Sequence, residues 1–418
     1  MQNEKKPNTL TTTGGETVSS TNNPQTGYVF FGTSPFKSAA DWTAMLRENP
    51  HDPQAYYNRG NIHFAGFEFD EAIADYSAAL KFKGDFTEAL VNRGVAYAYL
   101  EQYEKGFADL AQAARINPLC EAAHYNMGFF RSNMGNFIEA IEHYNTALRL
   151  NPNNENALVN RGIALTRTVK SEEAIADFSA AIKLGGNYLA EAYSGRAEAN
   201  FNSVGEGEKT FEQQSERMKT AIADNTAALE LKPDMEAAFF NRAIAHYYSR
   251  EFAQAVEDFS CALAINPNWD MAYGMRGLSY YQMDNYEKAI ADYNAALSLN
   301  PCLVLALVNR ATVYFDTEEP EKAVEDYTAA LDINPNLVEA LYGRGIALFE
   351  LDKEEKALAD FQRAHELSPN DANILAFRGF CHYHADNNEK ALADFQAALA
   401  LDPQNKFALR GMKMLNEE

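Results

Sequence analysis

The chain has 418 residues, 46% of them hydrophobic, and a formal net charge of −23. So acidic a balance argues against nucleic acid and anionic membrane surfaces, which need Lys and Arg for phosphate contacts, and permits basic partners. The length exceeds what one globular core usually holds, unless the core grows in one dimension by stacking.

The four cysteines, Cys120, Cys261, Cys302 and Cys381, form no C-x-x-C pair and no disulfide or zinc spacing. Free thiols fit a reducing compartment. No apolar run reaches the length of a membrane span, and Lys5 and Lys6 precede no signal-peptide core. These features imply a cytoplasmic protein with no membrane insertion.

In chain order, residues 1–37 are rich in Thr, Ser, Asn and Gly and read as a disordered tail, in which Gly27–Phe36 could dock on the first repeats of the chain. Residues 38–52 look like half a repeat: Asp41, Trp42 and Pro50 lie 34 residues before Asp75, Tyr76 and Gly84. Then DEAIADYSAAL (Asp70–Leu80) returns as EKAIADYNAAL (Glu287–Leu297) and EKALADFQAAL (Glu389–Leu399), and placing every copy in register gives ten units of period 34 over 53–405. They begin near Pro53, Thr87, Glu121, Glu155, Ala190, Glu236, Asp270, Val304, Val338 and Ala372; the fifth carries twelve extra residues at about 202–216, read as a loop or a lengthened helix B. Residues 406–418 read as a lone first helix that closes the last apolar face.

Counting each unit from its first residue, position 8 is Gly or Ala throughout, from Gly60 to Gly379, and position 20 is Ala, or Gly once at Gly106. Small residues at two such places mark the crossing of helices A and B. Position 24 is mostly Tyr or Phe, as in Tyr76, Phe178 and Phe395, filling the space beside them. Position 32 is Pro in eight units, where helix B must stop. On these residues the chain is identified as a member of the tetratricopeptide repeat (TPR) family over 38–418. The resemblance implies an all-α, right-handed α-solenoid of antiparallel helix pairs, with helix A lining the concave face.

Three features depart from a plain repeat. Position 7, usually apolar in the family, is Arg in nine units, and position 23 is Asp in the same nine; the third unit lacks both, with Met127 and His143. Joint loss predicts contact, hence a ladder of Arg–Asp bridges between helices A and B. Position 6 is Asn at Asn58, Asn92, Asn126 and Asn160, where an amide suits the backbone of an extended peptide; the run resembles the asparagine ladder in the superhelical array of O-linked N-acetylglucosamine transferase. Position 12 is aromatic from the fifth unit on, at Phe201, Tyr247, Tyr281, Phe315, Phe349 and Tyr383. Those rings are either binding anchors or packing against the next repeat.

No P-loop, dinucleotide fingerprint or H-E-x-x-H occurs. His382 and His384 flank Tyr383 at a spacing that does not bring them together on a helix. Position 5 lacks the Lys of the carboxylate clamp that some TPR co-chaperones use. The reading is therefore a non-enzymatic scaffold without cofactor or metal, binding an extended or flexible protein segment on its concave face. The alternative is a regulatory sensor whose superhelix changes shape on binding a small peptide signal. Self-association through the open ends stays possible.

Overall fold

The computed structural model describes residues 17–19, 29–31, 37–203 and 210–417. Most of the tail expected to be disordered, and residues 204–209 of the insertion, lie outside the described residues. The chain forms two compact bodies, Met1–Asn241 and Arg242–Glu418.

The N-terminal body opens with β1 (Thr17–Ser19) and β2 (Val29–Phe31), an antiparallel pair in which Val18 is in register with Phe30. Next comes α1 (Ala39–Glu48), begun by a capping box between Ser38 and Asp41 and burying Trp42 and Leu46 against Ala55. Helix pairs come after it, each a first helix (A) packed on a second (B): α2 (Pro53–Ala65) with α3 (Phe69–Phe82), α4 (Thr87–Tyr99) with α5 (Tyr103–Ile116), α6 (Glu121–Asn133) with α7 (Phe137–Leu150), α8 (Glu155–Arg167) with α9 (Ser171–Leu184), and α10 (Leu189–Ser203) with α11 (Phe211–Leu231). Helix α12 (Glu236–Tyr248) carries the boundary between the bodies.

The C-terminal body continues with α13 (Phe252–Ile265), then α14 (Asp270–Tyr281) with α15 (Tyr286–Leu299), α16 (Val304–Asp316) with α17 (Pro320–Ile333), α18 (Val338–Glu350) with α19 (Glu354–Leu367), and α20 (Ala372–His384) with α21 (Asn388–Leu401). A lone helix, α22 (Lys406–Glu417), lies on α20 and α21 and buries Ala408. Each body is thus an α-solenoid of helix pairs.

Extra residues in the fifth repeat lengthen its helix B rather than adding only loop. Helix α11 has 21 residues where the other second helices have 14, and Thr210 and Gln213 form its capping box. The added turns are tied back: the Arg217 guanidinium donates to Glu172 at 2.8 Å and to Asn200 at 2.8 Å.

The expected ladder is present in all nine repeats that carry both residues. In each, Arg Nε and Nη2 donate in parallel to the two carboxylate oxygens of Asp, as in Arg59–Asp75 at 2.8 and 2.6 Å and Arg276–Asp292 at 2.7 and 2.8 Å. The same fork joins Arg93–Asp109, Arg161–Asp177, Arg196–Asp224, Arg242–Asp258, Arg310–Asp326, Arg344–Asp360 and Arg378–Asp394. A planar guanidinium matches a carboxylate in this way, and a lysine would not.

The third nitrogen reaches backward. Arg Nη1 donates to position 25 of the preceding repeat: Thr43 for Arg59, Ser77 for Arg93, Asn145 for Arg161, Ser179 for Arg196, Ser260 for Arg276 and Thr328 for Arg344. One side chain therefore ties helix A to its own helix B and to the helix B before it. The aspartates are buried, so charge pairing works against desolvation. At Asp177 burial outweighs Arg161 and pushes the carboxyl up.

In the third repeat the ladder is replaced by an apolar and aromatic cluster. Met127 is buried, His143 lies 6.1 Å from the Phe107 ring, and the Arg131 guanidinium sits 4.2 Å over that ring. Position 25 of the repeat before it is Ala111, so all three members of the set are missing together. Burial pulls the His143 and His124 imidazoles below their ordinary value and favours their neutral form.

The A-to-B turns share a left-handed residue at position 15. It is Gly135 in the third repeat, but Phe67, Glu101, Val169, Arg250, Asp284, Glu318, Asp352 and Asp386 elsewhere, all with φ between 53° and 63°. Position 16 N–H closes onto position 11 C=O, as in Lys170 to Leu165 at 3.0 Å, which is the Schellman ending of helix A. A β-branched residue is disfavoured there by about 1–2 kcal/mol.

Both features have measurable consequences. Asp292→Ala, which strands Arg276, lowers unfolding stability by about 3–5 kcal/mol, whereas Arg276→Met with Asp292→Leu costs far less, read by urea denaturation monitored by circular dichroism. Val169→Gly raises stability by about 1 kcal/mol on the same assay, because Val169 is exposed and loses no packing.

Candidate functional site

The position-24 rings govern what stands on the helix-A side of the next repeat. Phe178 is wholly buried between two glycines. A Cβ on Gly162 of its own repeat would come within 2.8 Å of the ring, and one on Gly195, at position 6 of the next repeat, within 2.5 Å. Gly343 stands in the same way against Tyr327, at 2.4 Å. In these repeats position 6 faces the ring of the preceding repeat, and at Gly195, where the asparagine run stops, the ring leaves no room even for a Cβ.

At Asn92 and Asn160 the position-6 amide is used between repeats. Asn58, Asn92, Asn126 and Asn160 are 8%, 0%, 0% and 2% exposed. Asn92 Nδ2 donates to Asn61 Oδ1 at 2.8 Å and to the Tyr57 hydroxyl at 3.3 Å, and Asn61 Oδ1 also accepts from the Tyr76 hydroxyl at 2.7 Å. Asn160 Nδ2 donates to the Tyr125 hydroxyl at 3.0 Å. Asn58 Oδ1 accepts from Gln54 Nε2 at 3.3 Å. The structure buries these four residues within the array rather than setting them at an open surface.

The position-12 aromatics are placed differently. Phe201, Tyr247, Tyr281, Phe315, Phe349 and Tyr383 are all partly exposed. In the C-terminal body, α14, α16, α18 and α20 pack side by side in succession, so Tyr281, Phe315, Phe349 and Tyr383 form a row one repeat apart. Neighbouring protein groups orient these rings. The Tyr281 hydroxyl donates to Asp316 at 2.8 Å, in the next repeat, and Phe349 meets the His384 ring edge-on at 5.1 Å, also in the next repeat. Tyr247 packs on Phe252 at 5.5 Å and Tyr281 on Tyr286 at 5.9 Å. Burial, aided by the Asp316 carboxylate, raises the Tyr281 phenol above its ordinary value, so it stays a neutral donor.

Packing and exposure therefore coexist in this row: the rings are oriented by their neighbours and keep part of their surface open. Such preset aromatic area costs little entropy when a partner covers it. Sequence reasoning missed the position-25 partner of each arginine and the left-handed position 15. The first had a signal in Ala111, which precedes the one repeat without Arg.

Among the described residues no group of three or more His, Cys, Asp or Glu is placed to hold a metal ion, and no helix is long and apolar enough to cross a membrane. His382 Nε2 lies 3.9 Å from Asp394, within the ladder, while His384 turns toward Glu354 at 3.9 Å.

Geometry of this kind defines a helical-repeat protein, with a row of partly exposed rings on successive first helices of its C-terminal body. Tetratricopeptide repeat models match residues 53–86, 87–118, 121–154, 271–301, 338–371 and 372–405, with a further TPR repeat match at 311–352, more than half of the chain in all. The chain belongs to the tetratricopeptide repeat family. Among solved structures it is similar to the APC/C hetero-tetramer Cut9–Hcn1 (TM-score 0.50, 13% identity, 90% of this chain and 92% of that one). It is also similar to yeast Tom70 (TM-score 0.40, 16% identity, 91% of each chain). A third is YrrB, described as a TPR protein with an unusual peptide-binding site (TM-score 0.41, 24% identity, 45% of this chain and 97% of that one). Identities this low speak to fold alone. No curated protein matches the chain.

If Asn92 is an inter-repeat link, Asn92→Ala lowers stability by about 1–3 kcal/mol in urea denaturation of the purified chain, with no partner present, because Asn61 and Tyr57 lose a buried donor.

Proposed function

We propose that the protein is a non-enzymatic scaffold that holds an extended or flexible segment of another protein along its helix-A face. The observation that carries this is the row Tyr281, Phe315, Phe349 and Tyr383, partly exposed on successive first helices. A side chain from the bound segment inserts between adjacent rings, and the energy is a sum of small apolar contacts over several repeats. The outward edge is acidic, with Asp316 and Glu350 exposed beside this row, which favours a segment with basic residues flanking its apolar ones. Catalysis forms no part of the proposal.

The test is selection of peptides from a displayed library on the immobilised full chain, then fluorescence anisotropy with the enriched sequence. Tyr281→Ala/Phe315→Ala/Phe349→Ala weakens binding at least tenfold while helicity is retained, and Leu119→Asp, at an exposed inter-repeat turn, leaves it unchanged. Equal affinity in the wild type and the triple variant moves the interface away from this row.

A further inference from the structure

Equivalent positions are covered to different degrees along the array. Position 9 is buried at Val95 and Phe129, on α4 and α6, whereas Ile163 of α8 and Leu278, Thr312 and Ile346 of the C-terminal body are partly exposed; Phe380, on α20 where α22 packs, is buried again. Position 12 is small at Ala98 and Ser132, yet both are buried. Strand β2 is against α4 and α6, the two first helices that carry these residues, with Cα atoms within 8 Å.

We propose that Val29–Phe31 of this same chain is an internal ligand of the N-terminal part of the helix-A face, seated on α4 and α6 in cis, and that an outside segment binding there must displace it. The dimensions agree: three extended residues span about 10 Å, and neighbouring packed helices lie about 8–10 Å apart. So does the composition. Where the C-terminal body builds aromatics into position 12, α4 and α6 have Ala98 and Ser132, and the apolar content arrives in the sequence of the strand, Val29, Phe30 and Phe31. The strand also shows what class of partner competes: a short extended run of β-branched and aromatic residues, held as a strand on helices. This rests on the reading of the helix-A face as a binding surface, and it adds that one stretch of that surface is already occupied.

Two measurements on the full chain test it. In the first, a fluorescein-labelled Gly27–Phe36 peptide is titrated into the wild type and into Val29→Asp/Phe30→Asp/Phe31→Asp. The variant is expected to bind the peptide at least tenfold more tightly, and adding Ala98→Trp/Ser132→Trp removes that gain. Equal affinity for wild type and variant, or a gain that survives the tryptophans, overturns the proposal. In the second, benzoylphenylalanine replaces Phe30 and is photoactivated. A cross-link within the monomer to peptides of α4 or α6 supports the cis ligand; a cross-link only elsewhere, or only between chains, refutes it. The cross-link needs no outside partner and the tryptophans lie far from the Tyr281–Phe349 row in sequence, so failure here and failure of the scaffold reading are told apart.

Discussion

A guanidinium fork set against one aspartate, nine times over, is the constraint on which the rest of each repeat depends. The fork fixes the spacing and rotation of helix A on helix B through two parallel hydrogen bonds, and its third nitrogen carries the same register to the preceding helix B. Hydrophobic contacts alone tolerate sliding. A bidentate pair does not, because a small shift breaks two charge-assisted bonds and leaves a buried carboxylate without its cation. The small residues at position 8 and the rings at position 24 then pack into a gap whose width is already set.

The same rings connect the core to the face where a partner is proposed to bind. Position-24 rings reach position 6 of the next repeat, as Tyr76 beside Asn92 and Phe178 beside Gly195 illustrate, so what stands there answers to the interior. Position 12 escapes that demand. It varies from Ala98 to Tyr281 without disturbing the ladder. The small residues Ala98, Ser132 and Thr166 and the rings from Phe201 onward are two settings of one variable.

Much of this was legible because each contact is written many times. Arg at position 7 and Asp at position 23 vanish together at Met127 and His143, and covariation of that kind exposes a contact that a single copy hides. The position-25 partners were harder to see, because Thr43, Ser77, Asn145 and Ser179 share a hydrogen-bond acceptor but no residue type. The left-handed turn was hidden for the opposite reason: Phe67, Val169 and Asp352 have nothing in common but their backbone angle, which the Schellman closure imposes from outside the side chain. The asparagines were read outward because their chemistry suits a peptide backbone. Their actual surroundings depend on a ring one repeat earlier, which a position-by-position reading does not connect. Strand β2 was legible as a short apolar run in a polar tail, within a segment able to dock on the first repeats; that α4 and α6 are the helices beside it is a tertiary fact.

An array of repeats unfolds as a chain of coupled segments, each stabilised by its own helices and by the seams on either side. At the third repeat the seam is of another material. His143, Phe107 and Arg131 replace the fork, and Met127 and Ala111 have no polar group to span it. The N-terminal body therefore has one seam without a fork, between the first two repeats and the ladder-bearing repeats behind them. That seam lies between α4 and α6, the two helices that β2 touches, so the strand crosses the array where the fork is missing.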